Sequence, residues 1–125
     1  MREVEIFIPF MGPSTNKIYA GEHWAKRKKQ ADLGHSAVKA AGIEPFMRPV
    51  HLTFTPVLGK RARARDCSNY SYTVKLIEDG LVAAGVIIND TPDYVKGISI
   101  MAPITDRSKP SGMIVYIEEV RCDAA

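Results

Sequence analysis

The segment from Tyr70 to Gly85 constrains the fold of this chain most. Tyr70, Val74, Ile77, Leu81 and Ala84 recur at i, i+4, i+7, i+11 and i+14, the period of one helix face, and Gly85 stands where such a helix stops. An apolar stripe of this kind has to lie against a core. The same spacing puts Ser68, Tyr72, Lys75 and Asp79 on the opposite side, where packing under the helix does not use them.

The surface that receives the stripe reads as strands. Val4, Ile6 and Ile8 alternate with Glu3, Glu5 and Phe7 up to Pro9, the period-2 pattern of a half-buried strand. Val50, Leu52, Phe54 and Leu58 share one face of a second strand, with His51, Thr53 and Thr55 on the other, and Pro56 predicts an edge position or a bulge. His51 is expected to be a polar-face residue, because no His, Cys or acid recurs around it at metal-like spacing. Two later runs, Val95 to Met101 and Met113 to Val120, read as strands around a polar loop containing Asp106 to Gly112.

Between the first two strands, Gly12-Pro13-Ser14-Thr15-Asn16 has the composition of a loop. Trp24, Ala31, Gly34, Val38 and Ala41 then follow a helical spacing that ends at Gly42, with Trp24 expected as a core anchor rather than a base-stacking platform. The order strand, helix, strand, helix, strand, strand, without an internal repeat, predicts an α+β fold. At 125 residues the chain suits one domain, 1–125.

Several classes are excluded. With 46% hydrophobic and 25% charged residues, the chain fits neither a disordered nor a fibrous class. Its longest apolar run, Leu81 to Ile88, is far short of the roughly 20 residues a membrane-spanning helix needs. The start, Met1-Arg2-Glu3-Val4-Glu5, lacks the pattern of a secretory signal, so a cytosolic location is expected and Cys67 and Cys122 read as free thiols. No His is placed to activate Cys67, so packing is its expected role.

Charge is unevenly distributed. Residues 1–65 hold 12 Lys/Arg against 5 Asp/Glu, whereas residues 66–125 hold 5 against 9. Two clusters carry most of the positive charge: Lys26-Arg27-Lys28-Lys29 on the first helix, and Lys60-Arg61-Ala62-Arg63-Ala64-Arg65 before the second. Clustered Lys and Arg attract a phosphate backbone, although a solvated face or edge-strand protection accounts equally for either cluster alone. Asp66 follows the second cluster, and Asp90 ends the short apolar run Val86-Ile87-Ile88 after the second helix. Two carboxylates at loop-facing ends beside arginines suit a Mg²⁺ ion that takes its remaining ligands from water and phosphate. The structural alternatives are a helix cap for Asp66 and a turn residue for Asp90.

Gly12-Pro13-Ser14-Thr15-Asn16-Lys17-Ile18-Tyr19, the basic run into Arg65-Asp66-Cys67-Ser68-Asn69, then Lys75, Asp79-Gly80-Leu81, Ala84-Gly85 and Asn89-Asp90 resemble, in order, the RusA family of Holliday junction resolvases. The resemblance implies a small homodimeric endodeoxyribonuclease, dependent on Mg²⁺ with Mn²⁺ as an alternative, that cuts four-way DNA junctions. It places the metal-binding aspartates at Asp66 and Asp90 and the catalytic lysine at Lys75. Arg63 and Arg65 match the family's basic approach to the first aspartate. Lys60, Arg61, Arg63 and Arg65, with Lys26 to Lys29 as weaker candidates, are expected to bind phosphates, and Asn16, Lys17 and Asn69 are also expected to bind the DNA. The chain departs from the family at Ser68, where a second aspartate is usual, at Asn89, where an acid often stands, and by about three extra residues before Lys75, slightly less than a helical turn. Ser68 is then a neutral oxygen ligand, with Glu78 and Asp93 as substitutes. The alternative is a branched-DNA-binding protein that keeps the fold and cuts poorly or not at all.

Overall fold

The computed structural model describes residues 1–121. Cys122 lies outside the described residues. The alternating segments form β1 (Glu3–Ile8), β2 (Val50–Leu58), β3 (Val95–Ile100) and β5 (Gly112–Glu119), with a two-residue β4 (Ile104–Thr105). They make one mixed sheet in the order β1-β5-β2-β3. β5 runs antiparallel to both neighbours, with Ile8 opposite Met113 and Phe54 opposite Val115, while β2 and β3 are parallel. A parallel pair needs a long crossover, and the segment containing the second predicted helix supplies it.

Pro56 occupies neither an edge nor a bulge. β2 is flanked by β5 on one side and by β3 and β4 on the other, and its register irregularity lies between Val50 and His51. Pairing with β3 ends at Phe54 and pairing with β4 begins at Val57, so the prolyl nitrogen faces the gap between them, where no ladder donor is required.

Three helices complete the domain: α1 (Thr15–Tyr19), α2 (Trp24–Ala40) and α3 (Ser71–Ala83), the last entered through a 3₁₀ turn at Cys67–Tyr70. The expected loop at Gly12 to Asn16 gives way to α1, which starts where Ser14 Oγ accepts a hydrogen bond from the Lys17 N–H. Five residues are too few to show a helical period. Ile8, Val50, Leu52, Phe54, Met113, Val115 and Ile117 form the buried face of the sheet and join Val38, Tyr70, Val74, Ile77 and Leu81 in one core. Burying each large side chain contributes roughly 1.5–3 kcal/mol, so this cluster is the main source of stability.

Three expectations about burial need correction. Trp24 is not a core anchor: it is 69% exposed. The buried residues of α2, Gly34 and Val38, lie in its C-terminal half, and its first turns overhang the core. Ala84 caps α3 in solvent rather than extending the core stripe, because Gly85, at φ +73°, already turns the chain. Cys67 is exposed, so packing does not explain it. Among the described residues no helix is long and apolar enough to cross a membrane.

Candidate active site

The N-terminus of α3 is held by a segment distant in sequence. Tyr70, its capping residue, provides no side-chain hydrogen bond. Thr15 Oγ1 takes that role, accepting from the Tyr72 N–H at 3.1 Å and sharing a hydrogen bond with Ser71 Oγ at 2.9 Å. The Gly12 N–H donates to Thr73 Oγ1 at 3.1 Å, so the chain after β1 is strapped along the first turn of the helix. Arg65 fastens the other side. Its guanidinium donates to the Gly12 carbonyl and lies 5.3 Å from the Tyr70 ring centre, and its backbone N–H donates to Tyr70 Oη. Arg65 Nη1 is buried without a hydrogen-bond partner among the described residues.

One turn further along α3, Lys75 gathers three carboxylates. Its Nζ lies 2.9 Å from Asp90 Oδ2, 3.1 Å from Asp79 Oδ1 and 3.7 Å from Glu78 Oε1. Asp79 and Glu78 follow from helical spacing, but Asp90 arrives because the chain reverses at Gly85 and runs back with Val86 and Ile87 buried. Asn89 Oδ1 accepts the Asp90 N–H at 2.8 Å, so the amide shapes the turn that presents the carboxylate.

The ionisation of the cluster follows from this geometry. The hydrogen bond to Asp90 raises the Lys75 pKa well above its ordinary value, desolvation opposes the rise, and Asp79 and Glu78 add to it. The hydrogen bond from Lys75 holds the Asp90 carboxyl below the usual carboxylate range. Glu78, only 6% exposed, is pushed the other way, chiefly by burial, with the Lys75 charge opposing and Asp90 and Asp79 reinforcing. The result is a lysine held protonated beside an Asp90 carboxyl held ionised.

Asp66 immediately precedes the 3₁₀ turn leading into α3 and Ser68 lies on it, and both are exposed. The Asp66 side chain makes no cap, although its carbonyl accepts from the half-buried Asn69 N–H. The Ser68 carbonyl accepts from Ser71 Oγ at 2.7 Å. Asn16 and Lys17 are exposed on α1, which packs against both the turn and α3. Asp93 is exposed in the turn before β3. Among the described residues no three His, Cys, Asp or Glu side chains are grouped so as to hold a metal ion.

The chain matches no family model and none of the curated proteins.

The second basic cluster is a shaped loop. Lys60, Arg61 and Arg63 are exposed, and Arg61 adopts φ +61°. Arg107, which sequence reasoning did not single out, donates to the carbonyls of Gly59 and Ala62 and holds the loop from behind. The Gly59 N–H donates to Ser111 Oγ at 3.0 Å, and a Cβ on Gly59 would stand 2.4 Å from the Lys109 carbonyl oxygen. Only glycine allows these loops to meet so closely.

Sequence reasoning also missed Thr15 as the cap of α3. For Glu78 the helical spacing from Lys75 was a usable signal. For Thr15 and Arg107, whose partners lie 57 and 45 to 48 positions away, no local signal exists.

Proposed function

We propose that this protein is a RusA-like, Mg²⁺-dependent endonuclease that resolves four-way DNA junctions by phosphodiester hydrolysis. The observation that carries the reading is the Lys75–Asp90 contact at 2.9 Å. It joins two residues that the motif resemblance assigns to one site and that the sequence separates by 15 positions. The strap at Thr15 and the Arg107-held basic loop lend further support, since both belong to the segments that carry the resemblance.

The donor chemistry suits a hard cation: Asp66 and Asp90 offer carboxylate oxygens, Ser68 a neutral oxygen, and Mg²⁺ commonly uses one or two carboxylates with water and phosphate completing the set. When bound, such an ion polarises a phosphoryl oxygen and lowers the pKa of water. Lys75 has a different task. Because its pKa is raised, it stays protonated and acts as a fixed positive charge for the phosphate or leaving oxygen, not as a general base. Lys60, Arg61 and Arg63 contact phosphates and position the junction without reading bases, as a structure-selective enzyme requires. Arg65 orients the strap and adds charge behind it, while Asn16, Lys17 and Asn69 flank the DNA. A homodimer matches the two-fold symmetry of the junction.

The test is a gel assay on a synthetic four-way junction and a matched linear duplex, with EDTA, Mg²⁺ and Mn²⁺ in parallel. Paired, metal-dependent nicks on the junction alone are expected. Tight binding without cutting under every metal would replace this reading with that of a junction-binding factor, for which Ser68 in place of an acid is the favouring observation.

A further inference from the structure

The sheet ends in two free edges of different character. β1 pairs with β5 alone and carries the exposed Glu3 and Glu5, charges of the kind that keep an edge from pairing further. β3 pairs with β2 alone, and from Gly97 to Thr105 the chain holds no charged residue. Along this stretch Ile98, Met101 and Ile104 are 41%, 50% and 47% exposed. The backbone is open there too. The Met101 N–H donates to the Phe54 carbonyl at 2.8 Å, and the alternation of a strand then turns the backbone groups of Gly97 and Ser99 toward β2 and those of Lys96, Ile98 and Ile100 away from it. Among the described residues these three make no backbone hydrogen bond to another element.

We infer that β3 is the strand through which two copies of this chain join, pairing antiparallel with itself about a two-fold axis at Ile98. An edge whose outward groups fall at Lys96, Ile98 and Ile100 is its own complement in that register. Lys96 lies opposite the partner's Ile100, Ile98 lies opposite its own copy, and about six backbone hydrogen bonds form. The exposed Ile98 side chains then cover one another as a cross-strand pair. Charge selects the same arrangement. Lys96 is the one charged residue of β3, and antiparallel pairing sets the two ammonium groups about 13 Å apart, beyond the screening length at physiological salt, whereas parallel pairing would put them side by side. β3 also packs against the 3₁₀ turn Cys67–Tyr70, so the joint lies next to the candidate site of each copy. The inference deepens the proposed function, and rests on it for the number of copies, by naming the surface that makes the homodimer.

Sedimentation equilibrium of the full chain in EDTA, without DNA, should give twice the chain mass at micromolar concentration. Ile98→Lys places two ammonium groups on the axis and should weaken association by about tenfold or more with native circular dichroism, while Glu5→Lys on the other edge leaves the dimer unchanged. In a Cys67→Ala, Cys122→Ala background, Ile98→Cys should form an intermolecular disulfide under mild oxidation, because directly opposite residues in that register stand about 5.5 Å apart at Cα. Glu5→Cys should not. A monomeric native chain, a dimer that Ile98→Lys with native circular dichroism leaves intact, or a dimer in which Ile98→Cys fails to cross-link would overturn the inference. Where Ile98→Lys fails to fold, the cross-link decides alone. Metal-dependent cleavage of a four-way junction by the native chain is scored separately. A monomer that still cuts sinks this inference alone, and a dimer joined at β3 that cuts under no metal sinks the nuclease reading alone.

Discussion

Lys75 Nζ donates to Asp90 Oδ2 across 2.9 Å, tying the second turn of α3 to the reversal that follows it. Both groups face solvent, where an ion pair adds little to stability, yet their charges are fixed in opposite directions by the contact. Under the proposed function the pair serves chemistry more than folding.

Lys75→Met and Asp90→Asn separate those two roles. Each variant should melt close to the native chain and bind a junction with similar affinity, while junction cleavage falls by on the order of 100-fold or more, the usual effect of removing a group that stabilises transition-state charge. Unchanged cutting by either variant would remove the site assignment.

Glu78 titrates against the fold. Burial raises its pKa above 4.5, so the folded state holds the proton more tightly than the unfolded state. Below 4.5 both states are protonated and the group is neutral to stability; as pH rises from 4.5 through the folded value, stability is lost. Glu78→Gln should thus equal the native chain in acid and exceed its melting temperature at neutral pH, the gap opening across that interval. Asp90 runs oppositely. Its lowered pKa gives stability that is present above 3.8 and lost as pH falls through the folded value, and Asp90→Asn should flatten that acid limb.

Thr15→Ala removes the side-chain cap of α3 and leaves the Tyr72 N–H without its partner. The cost should be about 1 kcal/mol in urea unfolding, with Thr15→Ser close to native. Hydrogen exchange at the Tyr72 amide checks the mechanism: it should accelerate in the alanine variant and stay slow in the serine variant.

Gly59→Ala drives a methyl group to 2.4 Å from the Lys109 carbonyl oxygen and 2.5 Å from the Ser111 nitrogen. Both obstacles are backbone, so relief requires the 59–65 and 106–111 loops to part. A loss of about 1–3 kcal/mol is expected, together with weaker junction binding because the basic loop is no longer held. Normal stability with normal binding would show that the loop contact does not shape the cationic surface.

Sequence patterning was most informative where one element determines its own shape. The alternation at Val4 to Ile8 and the stripe from Tyr70 to Leu81 follow from side chains repeating every two or 3.6 residues, so β1 and α3 were legible. The same signal failed for α1 and β4, which are shorter than a readable period. It also failed for Trp24, because an apolar residue in a helical series marks a face without saying how far along the helix that face is covered.

The sequence by itself determined a small α+β domain, its helix stop at Gly85, the two basic clusters and the i, i+4 contact of Lys75 with Asp79. Only the tertiary structure decided that Asp90 joins Lys75, that Thr15 caps α3, that Arg107 braces the basic loop, and that Pro56 fits a central strand at a break between two partners. The division has one physical origin. Backbone periodicity and turn preferences are local and read directly from neighbouring residues, whereas these contacts depend on where distant segments meet once the core has packed.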